Sequence, residues 1–473
     1  MKSSNKTGMS YPCWFSPSGI AGLTLSAFLS LMIMSDGMAE ESAMRMAPDK
    51  SGHQNELTLR DAVHLALQHN PELAAFSREI QALEGVTLQA GLLKNPELSL
   101  NVENAGNIQK LSGDVNSAHA VAQEVVQQLT TIRVYQILEL GGKREARVNA
   151  ALLSEELAMQ DLAIKRTDII FRIANVFTEV LAAQERLKLA EETKLTAQNV
   201  VNSVSERVQG GKVPPIDETK VKLGLSTTRI ELEQAQRDLS SARKRLALLW
   251  NSSTPNFRKV LGDLEAVIAP PEFESLEARV LENPVALRAQ KSIEQRKALL
   301  EVEETKRIPN VTINAGAVHH AQLGGSTVVA GLQIPIPVFD RNQGNLREAH
   351  QRVSKAVDEQ MATELRLKTE LAQSYESLSA AWNEVHILKD EILPGAKSSF
   401  NVTRRGYELG KFGLLELLDA QRILFQNQLL YVRALANYQR LVNDIERLIS
   451  APMDGTTAQV SPGIATRFLG NEK

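Results

Sequence analysis

Residues able to hold a metal or move a proton are few and scattered in this 473-residue chain. His319-His320 fall near the end of a strand-like run and His119 in another loop. Adjacent strand residues face opposite sides, so a shared metal site there is awkward and solvated loop histidines are the simpler reading. His64, His69, His350 and His386 sit on helical patterns without the His-Glu-x-x-His spacing that puts two ligands on one face. Glu301-Val302-Glu303-Glu304 reads as a solvated helix face. Gly141-Gly142-Lys143 lacks the Walker glycine and the Ser or Thr of a phosphate loop, Gly324-Gly325-Ser326 lacks its context, and no nucleophile motif occurs. The sequence therefore predicts no enzyme, no cofactor and no metal site. What remains is charge pairing. Arg207, Asp217, Arg404, Arg405, Tyr407, Glu416 and Asp419 lie within about three helical turns of two glycine-rich turns, where they could bridge helices or simply face water.

Those turns interrupt very long helices. From Gly142 to Gly210 the chain has no proline and no internal glycine, and Ile169, Ile173, Val176, Val180, Ala183, Leu187 and Ala190, then Ala197, Val201, Val204 and Val208, follow a heptad-like spacing. One helix of about seventy residues is on the order of 100 Å long. Gly210-Gly211-Lys212-Val213-Pro214-Pro215 stops it, and a helix over 216–250 returns, so residues 142–250 form an antiparallel coiled-coil hairpin. The seam should pack against neighbouring helices, and a charge at Val180 should impair assembly.

Composition agrees with an elongated helical body. Only 4% of residues are aromatic against 43% hydrophobic, which favours helix-on-helix packing by small aliphatic side chains over a large globular core. A net charge of -3 with interspersed signs argues against nucleic acid as a partner. Lys2 and Lys6 precede an apolar run ending near Met34, and Gly37-Met38-Ala39 supplies small residues, so 1–39 reads as a cleaved secretory leader rather than a retained anchor. The single cysteine, Cys13, lies inside it. Past the leader no 18-residue apolar stretch exists, so insertion into a membrane would have to use strands.

Strands are present in the pattern. A helix opening at Leu57 is interrupted at Asn70-Pro71, and a second runs from about Glu72 to Leu93. After Pro96 the period changes to two, with Leu98, Leu100 and Val102 opposite Ser99, Asn101 and Glu103; a second strand over 125–139 completes a hairpin spanning 97–139. The programme then repeats. Asn70-Pro71 returns as Asn283-Pro284, Asn95-Pro96 as Pro309-Asn310, Arg144-Glu145-Ala146 as Arg347-Glu348-Ala349, and Gly211-Lys212 as Gly410-Lys411. The first repeat spans 40–250 and the second 283–450. In the second, strands over 311–319 and 328–338 form a hairpin, and a coiled-coil hairpin covers 345–450, bent at Pro394. Residues 251–282 join the repeats as an equatorial segment, and 451–473 form a tail.

Four strands per chain cannot close a barrel, for which about eight is the practical minimum, so several chains must pool them. At this point the chain resembles the TolC-type outer-membrane factors, most nearly the outer-membrane subunits of heavy-metal cation efflux pumps. The resemblance covers residues 57–450 and rests on Leu57 to Ala66, Leu138-Glu139-Leu140-Gly141-Gly142-Lys143-Arg144, Pro337-Val338-Phe339-Asp340-Arg341-Asn342-Gln343-Gly344, and Arg405-Gly406-Tyr407-Glu408-Leu409-Gly410-Lys411. It implies a mainly α tandem-repeat fold with a membrane β-barrel portion. It further implies a homotrimer with twelve strands in outer-membrane lipid and a helical tunnel in the periplasm. A periplasmic membrane-fusion adaptor and an inner-membrane RND pump would be its partners, and heavy-metal cations its cargo. Gly210, Gly211, Lys212, Val213, Gly410, Lys411, Phe412 and Gly413 would be the tip that meets the adaptor, and the seven residues around the turns the place to find an aperture. A drug or protein export duct of the same fold, or a soluble periplasmic coiled-coil scaffold, are the alternatives.

Overall fold

The computed structural model describes residues 56–105, 128–321 and 324–453. The leader, His119, the start of the second strand and most of the tail lie outside these. No helix among the described residues is long and apolar enough to cross a membrane.

The chain enters through a short strand, β1 (Glu56–Thr58), not through the helix expected at Leu57. Thr58 accepts from the Asp61 N–H at 3.2 Å and caps α1 (Leu59–His69), while the Asp61 carboxylate reaches back to Thr58. α2 (Pro71–Ala90) ends three residues before Leu93, and β2 (Glu97–Glu103) and β3 (Leu129–Leu138) follow. α3 (Lys143–Gln209) is one unbroken helix of 67 residues, and α4 (Pro215–Leu248) returns beside it. The connection holds β4 (Lys259–Leu261) and α5 (Phe273–Val280). The second half runs through α6 (Pro284–Thr305), β5 (Val311–His320), β6 (Gly325–Gln333), α7 (Gln343–His386), a π-helical turn (Ile387–Ile392), α8 (Leu393–Glu408) and α9 (Leu414–Ile449).

β1 and β4 pair in parallel, Leu57 opposite Val260. Three-residue strands are too short to show a period, which is why the pattern missed them. The Gln184 side-chain amide continues this small sheet, accepting from the Val260 N–H at 2.8 Å and donating to its carbonyl at 3.1 Å. The larger sheet is antiparallel in the order β2-β3-β5-β6, so β3 and β5 join the two hairpins. Its register sets Leu98 against Val134, Leu100 against Ile132, Val134 against Ala315, and Ala315 against Ala330. One face is thus apolar across all four strands, and the other carries Ser99, Asn101, Arg133 and Asn314. Gly316 lets Arg133 lie flat, since a Cβ there would come within 2.7 Å of Arg133 Cγ. β6 stops at Gln333 and not at Val338. Pro335 and Pro337 cannot donate to the ladder, and the partner strand β5 begins only at Val311.

Two of the stretches behind the family resemblance, Leu138 to Arg144 and Pro337 to Gly344, are junctions between sheet and helix. Gly141 and Gly142 take left-handed φ of 76° and 74°, and a Cβ on Gly141 would lie 2.5 Å from Ile308 Cδ1. The buried Lys143 ammonium then donates to the Ile308 carbonyl and to Asn310, while Arg147 makes two bonds to Glu139. In the second half Asn342 takes the left-handed role, with φ 61°, and its amide donates to Glu303.

The core gathers in three places. In the first, Ile169, Ile173, Val180 and Ala183 of α3 pack with Ala62, Val63 and Ala66 of α1, Leu246 of α4 and Val260 of β4. The second is its counterpart in the other half, Leu371, Leu378 and Val385 of α7 with Leu276 of α5 and Leu435, Tyr438 and Ile445 of α9. The third joins Val200 and Val204 of α3 to Phe400, Tyr407 and Leu417 of the second half. Around its middle α3 is buried on more than its heptad seam: Ile170 joins the first of these cores, and Thr167, Phe171 and Ala174 are buried too, because α2, α6 and α9 also lie against this helix.

The recurrent Asn-Pro pairs lock these cores. Asn70 caps α2 by accepting from the Glu72 N–H at 2.8 Å and donates to the Leu249 carbonyl at 2.8 Å. Asn283 caps α6 likewise, accepting from Val285 N–H at 2.8 Å, and donates to the carbonyls of Arg447 and Leu448 at 3.1 and 2.9 Å. Proline at the first helical position leaves no N–H to satisfy. One side chain therefore both starts a helix and ties it to the end of the returning helix. Asn283→Asp keeps the cap and replaces the donor with a carboxylate facing two carbonyls. We expect a loss of about 2 kcal/mol, seen as a lowered melting temperature; unchanged melting would show that the tie contributes nothing.

At Pro394, where the sequence predicts a bend, the helix widens into a π-helical turn. The Leu393 N–H bonds to the Leu388 carbonyl five residues back, which moves the turn away from the proline ring. Opposite lies Tyr431, whose phenol burial pushes up to about 12, with Glu265, Asp390 and Asp263 adding to the shift. The folded chain therefore keeps this proton when the unfolded chain, with an ordinary phenol near 10, has lost it. Stability should fall as pH rises from about 10 to about 12, and Tyr431→Phe should reduce that loss in denaturant titrations.

Candidate functional site at the paired helical turns

The two tips are built alike. In the first, Gly211 takes φ 66°, its N–H bonds to the Val208 carbonyl at 3.0 Å, and the Lys212 N–H bonds to the Arg207 carbonyl at 2.8 Å. In the second, Gly410 takes φ 75°, its N–H bonds to the Tyr407 carbonyl at 2.9 Å, and the Lys411 N–H to the Gly406 carbonyl at 2.8 Å. Both are Schellman endings, which need a left-handed residue after the helix, and glycine adopts it without strain. Arg207 and Gly406 hold equivalent positions. Only the second turn folds an aromatic back: a Cβ on Gly406 would stand 2.1 Å from the Phe412 ring. Gly210, Gly211, Lys212, Gly410, Lys411, Phe412 and Gly413 are exposed, and Val213 is half-buried.

Arg207 bridges the two turns. Its guanidinium donates to the Tyr407 carbonyl and lies 4.5 Å from the centre of the Tyr407 ring. Tyr407 is only 3% exposed, and its hydroxyl has no hydrogen-bond partner among the described residues. Burial raises its pKa, opposed by Arg207 and reinforced by Asp217. An unpaired buried hydroxyl costs on the order of 1–3 kcal/mol. On α4, Glu218 accepts from Lys222 and, at 2.9 Å, from Ser205 of α3; these bonds hold its carboxyl below the ordinary range.

Of the seven residues near the turns, the structure brings Arg207 and Tyr407 into contact; Asp217 pairs with Lys220 of its own helix at 3.4 Å. The other four act within their own helices. Arg405 pairs with Glu408 at 3.3 Å, Asp419 with Arg422 at 2.5 Å, and Arg404 lies 6.0 Å from the Phe400 ring. The Glu416 carboxylate accepts from the Gly413 N–H and caps α9. That role was legible in the Gly-x-x-Glu spacing. Phe400 and Gly406 complete the tip; Gly406 belongs to the Arg405 to Lys411 stretch, whereas a single apolar residue such as Phe400 carries no distinctive signal by itself.

The histidines do not converge. His319 Nδ1 lies 3.2 Å from Ser326 Oγ and His320 Nε2 lies 3.3 Å from Thr327 Oγ1, and no group of three metal-ligating side chains occurs among the described residues.

The family model for outer membrane efflux proteins matches residues 62–252 and 278–451, and the chain belongs to that family. It is 35% identical over 393 residues to the cobalt-zinc-cadmium resistance protein CzcC of Cupriavidus metallidurans, covering 83% of this chain and 90% of that one. It is 24% identical over 404 residues to the pyoverdine export outer membrane protein OpmQ of Pseudomonas putida, covering 78% and 81%. Among solved structures, a CusC crystal structure matches with a TM-score of 0.66 at 18% identity, covering 83% of this chain and 91% of that one. The sheet thus belongs in the outer membrane and the helices in the periplasm.

Proposed function

We propose that three copies of this chain close a twelve-stranded barrel over a helical tunnel and pass heavy-metal cations out of the cell. The observation that carries the barrel is the sheet itself. All four strands share an apolar face, β2 and β6 leave unpaired edges, and open edges are not tolerated in lipid. Pooling the edges of three copies removes them. Metal as cargo is supported by the 35% identity to CzcC, since the channel is a passive duct whose energy comes from elsewhere. The exposed turns, with Ile216 and Leu415 exposed beside them, would meet a periplasmic adaptor and through it an inner-membrane RND pump. The contact of Arg207 with Tyr407 would hold the periplasmic aperture closed.

A strain lacking this chain should become sensitive to cobalt, zinc or cadmium and keep its tolerance of antibiotics. Sensitivity to antibiotics or loss of siderophore export, with metal tolerance intact, would assign the duct to organic cargo instead.

A further inference from the structure

The ladder of β6 ends at Gln333, yet its alternation does not. Ile334, Ile336 and Val338 continue the parity of Val328, Ala330 and Leu332, and Phe339 follows before the charged Asp340 and Arg341. Ile336 is 81% exposed and Phe339 91%, an unusual display of large apolar side chains with no strand behind them. The backbone suits an apolar medium. Pro335 and Pro337 have no N–H to leave unpaired, and the Val338 N–H is bonded to the Ile336 carbonyl at 2.9 Å.

The height of the apolar face points the same way. From Val328 to Leu332 the hydrogen-bonded apolar face of β6 is roughly 13 Å long, or about 10 Å along the membrane normal at a strand tilt of about 40°. Outer-membrane barrels carry an apolar band about 25 Å tall. Continuing the alternate positions to Ile336 brings the face to about 26 Å, hence about 20 Å along the normal, and Val338 and Phe339, where the backbone turns, lie at its lower end.

We propose that residues 334–339 form a lipid-facing strap that completes the lower edge of the apolar band, its side chains among acyl chains at the periplasmic boundary of the outer membrane. The strap fixes how deep the sheet sits, with Asp340 and Arg341 at the headgroups. This rests on the barrel reading above.

The test uses single nitroxide labels on the full chain carrying Cys13→Ser, which removes its one cysteine. Ile336→Cys and Phe339→Cys report the strap, and Leu100→Cys, on the apolar face of β2, reports the barrel. The labelled protein is reconstituted in phosphatidylethanolamine–phosphatidylglycerol vesicles, and collision with oxygen is compared with collision with a water-soluble nickel chelate. Oxygen should dominate several-fold at all three positions. Nickel dominating at positions 336 and 339 while oxygen dominates at 100 would place the segment in water and overturn the strap alone. Immobilised labels reached by neither reagent would show a second copy covering it, which also overturns it. Nickel dominating at position 100 would remove the barrel and the strap with it.

Discussion

Val180→Asp should prevent the chain from folding, not merely from assembling. Val180 is fully buried in the core shared by α1, α3, α4 and β4. The sequence predicts a seam packed against neighbouring helices and impaired assembly for a charge here; the structure places those neighbours within one chain. A carboxylate without a partner in an apolar cluster costs several kcal/mol, about 4 or more, against a total stability of roughly 5–15 kcal/mol for an ordinary domain. Val180→Ala, which only deletes methyl groups, should cost about 2 kcal/mol and leave a folded chain. Leu195→Asp on the same helix is the counterpart, because Leu195 is 64% exposed in the single chain. We expect thermal melting of the detergent-purified protein to show normal unfolding for Leu195→Asp, a shifted transition for Val180→Ala, and no cooperative transition for Val180→Asp. A normal transition for Val180→Asp would mean that the α3 core is not formed as described.

Removing the Arg207 side chain should open the conduit. Arg207 makes a charge-assisted bond to the Tyr407 carbonyl and stacks on its ring, so one side chain ties the first turn to the second. Such a bond contributes about 1.5–3 kcal/mol and the stacked cation about 0.5–2 kcal/mol more. A loss of about 2 kcal/mol raises the open fraction by a factor of about 30. In planar bilayers Arg207→Ala should therefore conduct with much greater open probability than the parent. Arg405→Ala removes a pair confined to one helix and should conduct as the parent does. Tyr407→Phe separates two roles for the buried hydroxyl: if another copy supplies its partner, the variant opens the channel; if not, it leaves gating unchanged and stabilises the chain. Equal conductance of Arg207→Ala and the parent would remove the aperture from this tie.

Much of this architecture is legible in the sequence because each part has its own period. Alternation marks Leu98, Leu100 and Val102 as strand, the heptad-like spacing from Ile169 to Val208 marks one helix, and glycine followed by lysine marks both turns. The Asn-Pro recurrence reveals the repeat, although nothing local shows that Asn70 and Asn283 also tie distant carbonyls. What stays hidden depends on partners far along the chain. Ile170 and Phe171 are buried by helices distant in the chain that pack around α3, and Arg207 finds Tyr407 at a separation of 200 residues. The end of β6 is misread for a related reason: Ile334 and Ile336 keep the alternation of a strand, but their neighbours on β5 run out.

The central claim is that several chains share one barrel, and the number of chains in the membrane-extracted particle tests it most directly. Native mass spectrometry on protein extracted in detergent from the outer-membrane fraction should find three copies in each particle. A single copy, recovered without detergent from the soluble periplasm, would contradict the account.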